Sequence, residues 1–258
     1  VFGQLSSMEG KETRFGITNS VLWSTSTTAA SNGSVNAMHD SLSPLSGMVA
    51  MINIVLGEVI FGGVGAGLYG MIIFVILTVF IAGLMVGRTP ELLGRKVEAR
   101  EMKIATLIAL LHPFLILVAT AIASYTITHH GDAAWSVVPA NWLNNPGAHG
   151  FSEMLYENTS AAANNGSGFE GLGDNNFFWN FVTGLVLILG RFLPIIGPMA
   201  IAGMLAAKKA IPEGDGTLRA DTATFGGLTF TLIFILAALS FFPALALGPL
   251  AEYFDMAQ

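Results

Sequence analysis

Four stretches of the chain run almost without charge for the length of a membrane crossing: Leu68 to Val86, Ile104 to Tyr125, Phe177 to Ala206 and Phe225 to Leu247. A bilayer core takes about 20 apolar residues of helix, so these four predict membrane helices. His112-Pro113 is the only polar break in the second, and the third carries Arg191, Pro194 and Pro198. Ser152 to Ala163 predicts about three helical turns with Ser152 as N-cap. That is too short to span, and a polar Asn-Asn-Gly-Ser-Gly stretch follows it.

The basic residues orient these elements. Gly87 to Lys103 holds Arg88, Arg95, Lys96, Arg100 and Lys103, and Lys208, Lys209 and Arg219 follow the third helix, whereas Thr126 to Phe151 has neither Lys nor Arg. Cytoplasmic connections carry the Lys/Arg excess, so 87–103 and 207–224 are expected in the cytoplasm and 126–151 and the C-terminus outside. Ser152 to Asn176 then lies between an external loop and a helix that starts outside, so it stays outside or dips in and returns. A short helix and a glycine loop ahead of a spanning helix is the layout of a pore helix and filter.

An offset of 133 residues, which carries Asn32 onto Asn165, reveals an internal repeat. TTAASNGSV (27–35) falls on SAAANNGSG (160–168), with five of nine positions identical. At the same offset Gly57-Glu58 falls on Gly190-Arg191, and the cluster Gly62-Gly63-Val64-Gly65 on Ile195-Ile196-Gly197-Pro198. Both units are expected to run short helix, Asn-Gly-Ser loop, charged residue, helix break. Two membrane repeats in one orientation are related by rotation about the membrane normal.

Irregular backbone at membrane depth survives only where it lines a cavity or is buried in protein. Glycine lets successive carbonyls turn toward one axis, where they can replace the water shell of a potassium ion. The preceding short helix aims its partly negative C-terminus at the same point, which disfavours an anion, and the absence of a carboxylate from both loops points away from a divalent cation. Asn-Gly-Ser is also a glycosylation sequon, as is Asn158-Thr159-Ser160, and a ligand-free tight turn is a further reading. Glu58 and Arg191 occupy equivalent positions with opposite charge. Ionisable residues inside a membrane are costly and usually paired, so an ion pair or a shared watery network below the loops is expected. The break at 62–67 reads as a gate or as a static kink at a close helix contact. His39, His112, His129, His130 and His149 show no metal-ligand spacing and read as loop or packing residues.

Composition narrows the class. Hydrophobic residues make up 53% and charged residues 11%, against about 25% charged in soluble domains. A net charge of -6 with no basic stripe argues against a nucleic-acid partner, and without cysteine there is neither disulfide nor thiolate metal site. Neither a G-x-x-x-x-G-K-[ST] phosphate loop nor Asp-Lys-Thr-Gly occurs, so no nucleotide is expected to bind or be hydrolysed. Val1 is not Met, and Val1 to Phe15 is no signal peptide. The chain is expected to begin inside a longer protein.

The motifs of the whole chain resemble the potassium-transporting ATPase A subunit family, KdpA, in its C-terminal half. They are MEGKE (8–12), TTAASNGSVNAMHD (27–40), GEVIFGGVGAGLYG (57–70), FIAGLMVGRTP (80–90), VEAREMK (97–103), NPGAHGFSE (145–153), AANNGS (162–167) and PALALGPLAEY (243–253). The resemblance implies an all-α membrane protein of potassium-channel-like helix, pore-helix, filter and helix repeats with re-entrant pore helices. It implies a third repeat lacking its first helix over 1–100 (pore helix 16–30, filter 31–36, broken second helix 57–86, connection 87–103). A fourth repeat would cover 101–210 (helix 104–125, external loop 126–151, pore helix 152–163, filter 164–168, second helix 177–206), and 211–258 would hold a final helix, 225–247. Potassium, the transported ion, would meet carbonyls of Ser31, Asn32, Gly33, Asn164, Asn165 and Gly166. Glu58, Gly62, Gly63, Gly65, Ala66, Gly67, Arg88 and Arg191 would serve the ion route or its gating. Implied partners are the N-terminal half of the same subunit, the ATP-hydrolysing B subunit, the C and F subunits of the Kdp complex, and lipid of a bacterial or archaeal inner membrane. The chain departs from the family where Asn32 replaces a common Cys and Ala66 a common Ser. A passive channel-like permease, or a scaffold whose loops bind nothing, is the alternative.

Overall fold

The computed structural model describes residues 14–63, 66–130, 141–210, 212 and 219–257. It is an all-α membrane protein with one two-residue hairpin. In chain order it runs α1 (Ile17–Ala29), α2 (Pro44–Gly57), α3 (Gly67–Val86), β1 (Glu91–Leu92), β2 (Arg95–Lys96), α4 (Ala99–His130), α5 (Ala148–Ala162), α6 (Phe177–Ala206), α7 (Ala223–Leu245), a π-helical turn at Ala246–Leu250 and α8 (Ala251–Ala257). Among the described residues four helical spans are long and apolar enough to cross a membrane: Gly67–Val86, Ala99–His129, Phe177–Ala206 and Ala223–Met256. Their outward faces carry large apolar side chains, among them Met85, Leu107, Phe114, Phe181, Met199, Phe234 and Leu239, as a lipid solvent requires.

Three expectations about the elements need correction. The helix ahead of the glycine break begins at Pro44, well before residue 57, with Pro44 at its first turn, where a missing N–H costs nothing. The 126–151 connection is shortened at both ends, since α4 continues to His130 and α5 starts at Ala148. The expected break at Gly197-Pro198 does not occur, and α6 runs unbroken through Pro194 and Pro198. Each proline removes one ladder bond. Gly197 meanwhile packs so closely on α4 that a Cβ there would stand 2.5 Å from Ile108 Cγ1, and this contact holds the helix in line.

α5 is a polar helix inside an apolar bundle. Ser152, Glu153, Asn158, Thr159 and Ser160 are all buried, yet Ser152, Asn158 and Thr159 return hydrogen bonds to their own i−4 carbonyls at 3.1, 3.0 and 2.6 Å. That local satisfaction lets a polar segment sit among nonpolar neighbours. Around it Met51 and Ile54 of α2, Leu115, Ile116 and Ala119 of α4, Val186 of α6, and Phe241 and Ala244 of α7 form one core. A second core joins α3, α4 and α6 through Ile73, Ile76, Leu77, Ala105 and Ile201. In lipid such contacts hold by close packing rather than by water exclusion.

On one side of the bundle the basic connections meet. Lys208 Nζ donates to Glu101 Oε2 at 2.8 Å and to the Lys96 carbonyl at 3.0 Å. Glu101 also accepts the Glu98 backbone N–H at 2.8 Å, half of a capping box at the start of α4. At the other side Glu252 of α8 meets His149 of α5 at 2.7 Å.

Candidate functional site

The repeat found in the sequence recurs in the helix endings and in the loop Asn side chains. α1 and α5 both end in a left-handed residue, Ser31 at φ 53 and Asn164 at φ 52. Asn32 N donates to Thr27 O and Asn165 N to Ser160 O, each at 2.9 Å, the long bond of a Schellman ending. Each loop Asn then folds its side chain over the loop, accepting from Ser34 N at 2.8 Å through Asn32 Oδ1 and from Ser167 N at 3.0 Å through Asn165 Oδ1. The Asn32 carbonyl accepts from Thr27 Oγ1 at 2.5 Å. Asn158 is 0% exposed and Asn165 is buried, which removes both as glycan acceptors.

The two loops touch backbone to backbone. A Cβ on Gly33 would stand 2.7 Å from Asn165 O and 2.9 Å from Gly166 C, and Gly166 sits at φ +94. Asn165 Nδ2 crosses to the Thr27 carbonyl at 3.1 Å. The glycine preceding each charged residue is equally constrained. A Cβ on Gly57 would lie 2.3 Å from Ala29 O, and one on Gly190 would lie 2.4 Å from Ala162 O. Only a bare backbone lets each second helix reach the C-terminus of its pore helix.

The charged pair behaves differently from the expected Glu58–Arg191 bridge. Ser31 Oγ donates to Glu58 Oε1 at 2.9 Å, and Arg191 Nε donates to Asn164 Oδ1 at 3.1 Å. Ser31 and Asn164 are repeat equivalents, so each charge binds the first loop residue of its own unit. Glu58 Oε2 also lies 3.5 Å from His112 Nε2, which stands 3.1 Å from the Ala162 carbonyl. Glu58, His112 and Ser240 line a cavity of about 60 Å³ under the loops. Gly63 lies against Ser31, Gly62 is left-handed at φ +68, and a Cβ on Gly67 would collide with Gly62 Cα. Ala66 precedes α3 as its N-cap, and Gly65 lies outside the described residues. Arg88 is apart from all of these, just past the far end of the 20-residue α3, about 30 Å of helix away.

The sequence reading missed a polar knot at the N-terminal end of α5. His149 Nε2 lies 2.8 Å from Asp40 Oδ1 and its Nδ1 2.7 Å from Glu252 Oε1. Asn145 Nδ2 donates to Asp40 Oδ2 at 3.2 Å and to Glu153 Oε1 at 3.1 Å. Burial alone would lower the His149 pKa, but its two carboxylate hydrogen bonds override that and raise it to about 10. The available signal was His149 and Glu153 four residues apart, and so on one helix face, beside the His39-Asp40 pair.

A bundle of apolar helices enclosing a doubled short-helix and glycine-loop unit is a multi-pass all-α membrane protein. The family model described as potassium-transporting ATPase A subunit, KdpA, matches residues 3–254, and the chain belongs to that family. It is 63% identical over 252 residues to the potassium-transporting ATPase potassium-binding subunit of Flavobacterium johnsoniae, covering 96% of this chain and 44% of that protein. The subunits of the same name from Bacteroides fragilis strain NCTC 9343 and Clostridium botulinum are 63% and 55% identical, with 43% and 41% of their lengths covered. The chain thus spans less than half the length of the curated relatives it matches.

Proposed function

We propose that this chain supplies half of a potassium-binding site in an ATP-driven uptake pump. Carbonyls of Ser31, Asn32, Gly33, Asn164, Asn165 and Gly166 would take the place of the ion's water, with the remaining half of the ring coming from the N-terminal half of the same subunit. The observation that carries this reading is the backbone contact between Gly33 and Gly166, where two loops that share their helix-ending and Asn side-chain hydrogen bonds face each other at the ends of two short helices.

In this reading 1–100 is a pore unit without its first helix, 101–210 is a complete one, and 211–258 holds the final helix. The ion leaves the loops past Glu58 and the glycines at 62, 63, 65 and 67, with Ala66, Arg88 and Arg191 along the same route. ATP is hydrolysed by the B subunit, with C and F as further partners, and this chain holds no nucleotide. The segments 87–103 and 207–224 face the cytoplasm and 126–151 and the C-terminus face outward across a bacterial or archaeal inner membrane. Support for that sidedness comes from Lys208 joining the two basic segments while Glu252 meets the start of α5.

The test is thermal unfolding of the complete subunit in potassium against sodium. A ligand that binds the native state raises its stability, by about 2.7 kcal/mol at a hundredfold excess over Kd. Potassium should raise the midpoint for the wild type and fail to do so for Gly33→Ala or Gly166→Ala. Equal midpoints in the two salts would overturn the proposal.

A further inference from the structure

Beyond the filter, the knot at the start of α5 has the construction of a metal centre. From its geometry we propose that Asp40, His149 and Glu153 form a binding site for a divalent first-row metal ion of the zinc class. One ligand atom from each of the three residues lies within 4.8 Å of the others.

Each of the three residues has one polar atom held by a partner outside the trio. His149 Nδ1 faces Glu252 Oε1 at 2.7 Å, which fixes the ring and leaves Nε2 beside Asp40 Oδ1 at 2.8 Å. A carboxylate on the far nitrogen of a ligating imidazole is the usual outer support of such sites. Asn145 Nδ2 occupies Asp40 Oδ2 and Glu153 Oε1 together, leaving Asp40 Oδ1 and Glu153 Oε2. Glu153 is 0% exposed, and its Oε2 has no hydrogen-bond partner. A buried carboxylate oxygen without a partner is expensive, and an ion offers it one. A nitrogen and an oxygen each about 2.1 Å from a tetrahedral zinc are separated by about 3.4 Å, so Nε2 and Oδ1, now 2.8 Å apart, would open by about 0.6 Å to admit the ion.

Charge favours the same conclusion. Asp40, Glu153 and Glu252 surround one imidazole, and Glu170 Oε2 accepts the Asp40 backbone N–H at 3.0 Å. A proton shared between Glu153 Oε1 and Asp40 would remove one charge, yet it would leave Oε2 with nothing. One imidazole with two carboxylates suits zinc or manganese rather than calcium or magnesium, which take oxygen ligands. Gly171 lies against the two oxygens that Asn145 holds, since a Cβ there would stand 2.3 Å from Glu153 Oε1 and 2.6 Å from Asp40 Oδ2.

The experiment strips the complete subunit with a chelator, adds zinc chloride, desalts, and counts bound zinc by mass spectrometry. The wild type should keep about one equivalent. Glu153→Gln should keep at least tenfold less while retaining its potassium-dependent thermal shift, which shows it is folded. Glu252→Gln should weaken binding by about 10- to 100-fold, as loss of an outer partner does. A millimolar excess of calcium should fail to displace the zinc. No retained zinc in the wild type, equal retention in Glu153→Gln, or displacement by calcium would each overturn the assignment.

Discussion

Ser31 Oγ stands 2.9 Å from Glu58 Oε1 and 2.9 Å from the carbonyl of Ala163, so one hydroxyl joins its own repeat to the end of the other pore helix. A serine has a single proton to donate, and the carboxylate is the stronger acceptor. Ser31 and Glu58 are 8% and 6% exposed. Removing the hydroxyl in Ser31→Ala should therefore cost about 1.5–3 kcal/mol. Ser31→Ala and Glu58→Gln should be non-additive by about 1 kcal/mol in a double-mutant cycle. Additive effects in thermal or denaturant unfolding would mean that the bond does not form in the complete subunit.

Gly57 and Gly190 test the repeat itself. Alanine at either would press on a pore-helix carbonyl at 2.3 or 2.4 Å, and overpacking of this kind costs about 1–3 kcal/mol. Both variants should lower the unfolding midpoint by similar amounts. Gly203→Ala in α6, with open space around it, should leave the midpoint unchanged or raise it, since alanine is the better helix former by about 1 kcal/mol.

Glu157 gives a dependence on pH. Burial first, and then the nearby charge of Asp174, raise its pKa to about 7 from the ordinary 4.5. The folded state therefore binds this proton more tightly than the unfolded one. The stability it contributes is complete below about pH 4.5 and is lost as pH rises through about 7. Thermal midpoints from pH 4.5 to 8 should fall more steeply for the wild type than for Glu157→Gln, and the variant should be the more stable protein at pH 8. Parallel pH curves would show that Glu157 is an ordinary solvated acid.

At the opposite side, Lys208→Met should strand Glu101, whose side chain is 2% exposed and which also caps α4. Loss of a hydrogen bond between charged groups costs about 2 kcal/mol. Glu101→Gln in the same background should recover part of it, because a neutral amide carries no unpaired charge.

The spanning helices were legible because lipid demands unbroken apolar runs, and α6 begins and ends where its composition changes, at Phe177 and Ala206. The loops were legible because the duplication shows in the letters TTAASNGSV and SAAANNGSG. Two kinds of feature were not. α2 is only 14 residues long and flanked by glycine and serine, so its hydrophobicity reads as one half of a span rather than a helix of its own. Asp40 and His149 are brought together by tertiary folding across 109 positions of chain, a separation at which no local pattern survives. Glu58 and Arg191 act on each other through their charges, but their hydrogen bonds go to Ser31 and Asn164. Repeat symmetry gives each charge an equivalent neighbour, Ser31 or Asn164, within its own unit.

The continuity of α6, set against the interruption between α2 and α3, bears on how such a molecule could have diverged after duplication. One copy keeps a rigid strut that carries its load through two prolines. Its twin is bent instead, and glycine is required at the bend, since a Cβ on Gly63 would stand 2.8 Å from Ser31 Cβ and one on Gly67 would collide with Gly62 Cα. Redundancy of this sort turns a symmetric ancestor into a machine with one fixed side and one adaptable side.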